Sequence, residues 1–249
     1  MRYFIYLEFD GNAYSGWQIQ PHSPSVQQVL EEALALFLRQ KVGVTGAGRT
    51  DAGVHAAQMV AHFDLDAPQD CSWMLNKLNG ILPQDMAVHK IVPVRPDAHA
   101  RFDAIARTYK YYVTLKKSAF YRDYSWFLPN EPDFELMNKA AELLIETVDF
   151  TSFSKLHTDT RTNDCHVTEA LWTKVNDECR VFTITSDRFL RNMVRAIVGT
   201  LMEVGRHKLT IDGFRKIIDS KDRCSAGDSA PAQGLVLHRI VYPENLFDI

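Results

Sequence analysis

The sequence predicts an α+β protein of two similarly built lobes around a shared sheet. Three observations carry that expectation. Strand-like and helix-like stretches alternate through the first half, the same rhythm returns loosely in the second, and no low-complexity linker divides them. The lobes are expected at 1–104 and 105–249, packed as one unit.

The elements follow in order. Tyr3, Ile5, Leu7 and Phe9 alternate with Phe4, Tyr6 and Glu8, as in a largely buried strand that Asp10 and Gly11 then end. After Pro24, Ser25 and Gln28 form a capping-box pattern, and Val26, Val29, Leu30, Ala33, Leu34 and Phe37 share a helical face. A glycine-rich segment from Gly46 to Gly53 leads into a strand over Gln58 to Leu65. In the second half, Tyr109 to Leu115 is rich in aromatic and β-branched residues, as strands are. A helix is expected over Phe134 to Ile145 with Asp133 as its N-cap, and a strand over Arg180 to Ser186. Phe189 to Val204 reads as a long helix with Gly205 as its stop. Its apolar stripe is Leu190, Met193, Val194, Ile197, Val198, Leu201 and Val204. Leu235 to Tyr242 closes the chain as a strand.

Composition narrows the class. At 46% hydrophobic and 24% charged residues the chain is an ordinary globular sequence. No apolar run reaches the ~20 residues that span a bilayer, and Met1-Arg2-Tyr3-Phe4 does not begin a signal peptide, so a cytoplasmic location is expected. Cys71, Cys165, Cys179 and Cys224 lie far apart, which favours reduced thiols over a zinc site or disulfide framework. A net charge of −3 argues against a protein that coats nucleic acid indiscriminately, yet the charges are uneven. Between Arg101 and Arg122 there are Arg101, Arg107, Lys110, Lys116, Lys117 and Arg122 against Asp103 alone, whereas Glu131 to Asp149 is acidic. One basic face, or simply two solvated surfaces, fits this pattern.

The most informative stretch is Gly48-Arg49-Thr50-Asp51-Ala52-Gly53-Val54-His55-Ala56. In an extended loop Arg49 and Asp51, two residues apart, point the same way, so the guanidinium can hold the carboxylate ionised. Glycines let the backbone approach a ligand closely. A phosphate-binding loop is weakly supported, because no Gly-Lys-Ser/Thr follows and the aspartate repels phosphate. A structural turn and a catalytic carboxylate held by arginine both remain open on composition alone.

This stretch resembles the signature of the tRNA pseudouridine synthase A (TruA) family, and further segments resemble the family's motifs in order. These are Tyr14 to Pro21 with Ser25-Val26-Gln27, Arg101 to Ala104, Ala106 to Tyr109, Phe189 to Gly199, and Ala230 to Leu235 with Val241-Tyr242. The likeness spans nearly the whole chain. It implies the pseudouridine synthase fold with a mixed, mainly antiparallel sheet, the first lobe carrying the aspartate loop and the second the tyrosine strand and arginine-rich helix. It implies an isomerase that converts uridine to pseudouridine at positions 38, 39 and 40 in the anticodon stem-loop of tRNA. It further implies a homodimer, with no cofactor, no metal and no membrane partner.

The resemblance makes Asp51 the catalytic residue, as nucleophile or base. Arg49 then pairs with Asp51 or fills the space left by a flipped base. Tyr109 stacks on the extruded uracil. Arg195 occupies the family's active-site basic position, and Leu235 packs in the pocket. Arg107 is placed with the substrate-binding residues. Arg188, Arg191 and Arg195, spaced i, i+3, i+7, are expected as one stripe on the long helix, with Arg188 and Arg191 meeting phosphates. His55 is assigned to loop packing. Two other readings compete: a tRNA-binding protein or RNA chaperone without catalysis, which leaves Asp51 unexplained, and a hydrolase of a small nucleoside, which leaves the basic Arg101–Arg122 segment unexplained.

Overall fold

The computed structural model describes residues 1–155 and 162–247. The chain forms two compact units, the first of Met1–Ala106 with Leu237–Ile249 and the second of Arg107–Val236.

In the first unit, β1 (Arg2–Phe9) is the buried centre of an antiparallel sheet; Tyr3, Phe4, Ile5, Leu7 and Phe9 are all buried. Its neighbours are β3 (His55–Asp64) and β4 (Met86–Val94), and the short β2 (Thr45–Gly46) pairs with β3. Helix α1 (Val26–Leu38) starts where the cap pattern predicts, the Ser25 hydroxyl accepting from Gln28 N at 3.3 Å. The reciprocal half of the capping box is not made, because the Gln28 side-chain amide donates to Glu32 instead. Gln27 ties this helix to the preceding turn of β2, donating to Val44 O at 3.0 Å. Helix α2 (Cys71–Ile81), capped by Asp70, and strand β4 go beyond the elements expected from periodicity. The reason for α2 is physical: it buries only Met74 and Leu78, too thin a stripe to read. The last strand of the chain, Leu235–Val241, returns beside β3 from Leu237 onward, where Ile240 N donates to Gln58 Oε1 at 2.9 Å.

The second unit carries β5 (Ala106–Thr114), β6 (Trp126–Phe127), β7 (Val167–Lys174) and β8 (Cys179–Ser186). β8 lies antiparallel between β5 and β7, while β6 pairs parallel with β5, so the sheet is mixed but mainly antiparallel. Helices α3 (Phe134–Ala141), α4 (Leu143–Glu146), α5 (Met193–Gly205) and α6 (Ile211–Ser220) complete it, and Leu235–Val241 is β9. The single helix expected over Phe134 to Ile145 is two, meeting at Glu142, where Ile145 N turns to Glu142 O and the spiral tightens. Asp133 does cap the first, accepting from Leu136 N at 2.8 Å.

The long helix is corrected more substantially. It starts at Met193, not Phe189, after Asn192 in the left-handed conformation at φ 65°. Gly205 is not its stop but its last residue. A side chain there would sit 2.5 Å from Met137 Sδ and 2.9 Å from Pro132 Cβ, so that position is reserved for close packing. Every residue of α5 is buried except Arg195 and Glu203. No helix among the described residues is long and apolar enough to cross a membrane.

Candidate active site

The aspartate loop belongs to the first unit and is held by backbone contacts from its neighbours. Trp17 N donates to Thr50 O at 3.2 Å, Val54 N to Asp51 O at 3.1 Å, and Ala47 N to Val60 O at 2.8 Å. Gly16, at φ +96°, presses so closely that a Cβ would lie 2.3 Å from Thr50 O. Only glycine tolerates both that dihedral and that approach. Burial then alternates along the loop: Arg49 is exposed, Thr50 buried and Asp51 half-buried. Thr50 thus anchors the loop inward while Arg49 and Asp51 stay on the accessible side, as the i,i+2 argument requires. The Thr50 hydroxyl has no hydrogen-bond partner among the described residues, so its anchoring is steric.

His55 follows at the start of β3 and is buried, its Nδ1 lying 3.1 Å from both Gly11 N and an Asp10 carboxylate oxygen. One nitrogen cannot accept from the amide and donate to the carboxylate together. The amide has only this direction open to it, so Nδ1 is read as the acceptor, and the loop-packing assignment suits such a place. Tyr14, from the motif upstream, reaches Asp85 Oδ1 at 2.7 Å; burial, then that carboxylate, drive its phenol pKa upward. It is a strut, not an acid.

The remaining sequence-predicted residues belong to the second unit. Arg107, Tyr109 and Tyr111 share one face of β5, opposite Ser186, Ile184 and Phe182 of β8. Tyr109 is half-buried and meets the Phe189 ring edge-on at 5.0 Å. Tyr111 is fully buried, donates to Pro231 O at 2.8 Å, and is thereby the core tyrosine of the strand. Next to it, Arg195 Nε donates to Ala230 O at 2.7 Å, and Ala230 N returns to Arg195 O. Leu235 is buried, following Gly234, whose missing side chain leaves room for the Tyr111 ring. The fold therefore gathers Tyr109, Arg195 and Leu235 around Tyr111 and the 230–235 segment.

The stripe of three arginines is not formed. Arg188 and Arg191 precede α5, in the connection from β8, and only Arg195 is on the helix. Asp187 makes that connection: its carboxylate accepts from His166 N and Arg188 N, each at 2.7 Å, while its carbonyl accepts from Arg107. Sequence reasoning passed over Asp187 and Phe189. An aspartate closing a β-branched run, with an asparagine shortly before the apolar stripe, was the signal available. Among the described residues, no cluster of His, Cys, Asp or Glu is placed to hold a metal ion.

The first unit presents an accessible carboxylate in an anchored loop, and the second, taken by itself, a half-buried aromatic ring and a guanidinium, side-chain types suited to ring-bearing, anionic ligands. Comparison gives the family. A family model described as tRNA pseudouridine synthase matches residues 5–103 and 140–243. Proteins named tRNA pseudouridine synthase A are similar along their whole length. That of Parabacteroides distasonis is 59% identical over 249 residues, covering 100% of this chain and 98% of its own. That of Porphyromonas gingivalis is 57% identical, with 99% of each chain covered, and that of Exiguobacterium sibiricum 36%, with 98% of each. This chain belongs to the tRNA pseudouridine synthase family.

Proposed function

We propose that this protein isomerises uridine to pseudouridine at positions 38, 39 and 40 in the anticodon stem-loop of tRNA, with Asp51 as the catalytic carboxylate. The observation that carries the reading is the Gly48–Ala56 loop, built so that Thr50 is buried while Asp51 and Arg49 remain accessible. In the reaction the N1–C1′ bond breaks, the uracil turns, a C5–C1′ bond forms, C5 loses its proton and N1 takes one up. Substrate and product are isomers, so the balance needs no oxidant, nucleotide or metal. Attack of a carboxylate on C1′ and removal of a ribose proton both require an ionised Asp51.

A base within a stem must first leave the stack, at a cost of a few kcal/mol. Tyr109 stacks on the extruded uracil, contributing about 1–3 kcal/mol. Arg195 supplies positive charge to the bound substrate, Arg49 takes the space the base vacates, and Leu235 packs on the apolar side of the base. Arg107, Arg188 and Arg191 meet phosphates. The protein acts in the cytoplasm as a homodimer.

The test is Asp51→Ala and Asp51→Asn. Both variants should bind tRNA as the parent does while forming no pseudouridine, measured by mapping the modified base at 38–40. Undiminished product from both would overturn the mechanism. Binding without product from the parent itself would leave a tRNA-binding protein.

A further inference from the structure

Between β5 and β6 the chain makes a loop, 115–125, that the proposed reaction leaves unused. It carries the most exposed large apolar side chain in the described structure: Phe120 is 88% exposed, with Tyr121 at 62% and Tyr124 at 46%. Exposed aromatic rings side by side are costly in water and mark a contact surface. Disorder is not the explanation, because the loop is held by its own bonds. Ser118 Oγ accepts from Phe120 N and Tyr121 N at 3.2 and 3.3 Å, Ser125 Oγ donates to Tyr121 O at 2.7 Å, and Tyr124 N donates to Tyr121 O at 3.1 Å. The rings are presented by a preformed scaffold, which lowers the entropic cost of binding.

The charges identify what is bound. Lys116, Lys117 and Arg122 are interleaved with the rings, against Asp123 alone. Two of the cations rest on exposed carboxylates, Lys116 on Glu178 at 2.9 Å and Arg122 on Asp123 at 3.1 Å. Such surface pairs are weak and exchange readily for a stronger anion. A two-fold contact between copies centred on this loop would set the cationic loop against itself. An RNA strand suits both components, its bases stacking on the rings and its phosphates meeting the cations.

We infer that Phe120 and Tyr121, with Lys117 and Arg122, form a stacking platform for unpaired nucleotides of the RNA substrate, away from the reacting uridine. The inference rests on the function proposed above. Tyr109 lies five residues before the end of β5 at Thr114, so the loop starts about 17 Å along the strand from it, at ~3.4 Å per residue.

The experiment uses the intact protein and unmodified tRNA transcripts. The double variant Phe120→Ala/Tyr121→Ala should weaken tRNA binding about tenfold or more, as loss of base–aromatic stacking does. Pseudouridine formation at saturating tRNA should stay close to the parent rate, and Phe120→Trp/Tyr121→Phe should retain parental affinity. Lys117→Ala/Arg122→Ala should flatten the salt dependence of binding by about one to two units of slope. Parental affinity in the alanine variant overturns the inference. So does loss of affinity that follows dissociation into smaller species in sedimentation, which would make the loop a contact between copies. The two readings fail separately: a parent that makes pseudouridine while the loop variants bind normally sinks only this inference. A parent that makes none, with loop variants still weakened, sinks only the proposed reaction.

Discussion

His62 shows how much a single side chain can commit to the folded state. It is buried on β3, its Nδ1 accepts from Ala100 N at 3.1 Å, and its ring meets His99 at 4.7 Å. Burial, then Arg2 and His99, lower its pKa to about 4. The folded value therefore lies below the unfolded value of about 6.5, so the unfolded chain takes the proton first as pH falls. The stabilisation is complete above about pH 6.5 and is lost as pH drops towards 4, amounting to at most ~3 kcal/mol. Denaturant unfolding of the parent between pH 7 and 4.5 should show this loss, and His62→Asn should show a distinctly flatter pH dependence. Equal slopes would assign the acid sensitivity to other groups. At this scale the sequence is readable where chemistry is local. Arg49 and Asp51 could be set on one side of a loop because alternation depends only on neighbouring dihedrals. Asp187 could not, because its importance comes from His166 and Arg107, which only the folded β5 and β7 bring to it.

At the scale of the element, α5 carries Arg195 and fixes the segment that receives it. Gly199 is the contact point: a Cβ there would lie 1.7 Å from Asp228 O, a backbone atom that cannot move alone. Gly199→Ala is expected to push 227–230 off the helix, break the Arg195–Ala230 contact, and cost about 3 kcal/mol or somewhat more in stability. Gly205→Ala meets chiefly the flexible Met137 side chain and should cost clearly less. Comparing the two unfolding midpoints, with pseudouridine formation alongside, checks this; equal costs would show that the 227–230 segment is free to shift. The apolar stripe of α5 was legible because 3.6-residue periodicity survives burial on nearly every side. Its start was not. Phe189 and Leu190 continue the stripe in sequence, but the turn at Asp187 and the left-handed Asn192 place them before the helix, and Arg188 and Arg191 with them.

For the whole molecule, the charge balance and the proposed substrate pull in opposite directions. With a net charge of −3, attraction for a polyanion must come from local groups such as Arg107, Arg188, Arg191 and the 115–125 loop, rather than from the overall field. Five phosphate contacts, from Arg107, Arg188, Arg191, Lys117 and Arg122, predict roughly a hundred- to five-hundredfold loss of tRNA affinity between 50 and 200 mM salt. A flat response would remove the case for RNA held along a basic path. The α+β class followed from alternating elements along the chain, whereas the place of the last strand did not, because nothing in its own residues says which strand it lies beside. Leu237–Val241 lies beside β3, in the unit begun at Met1. During synthesis, then, the sheet next to the aspartate loop waits until the whole second unit has been translated. Until then the free edge of β3 is open to wrong partners, and a nascent chain that pauses inside the second unit is a case for chaperones.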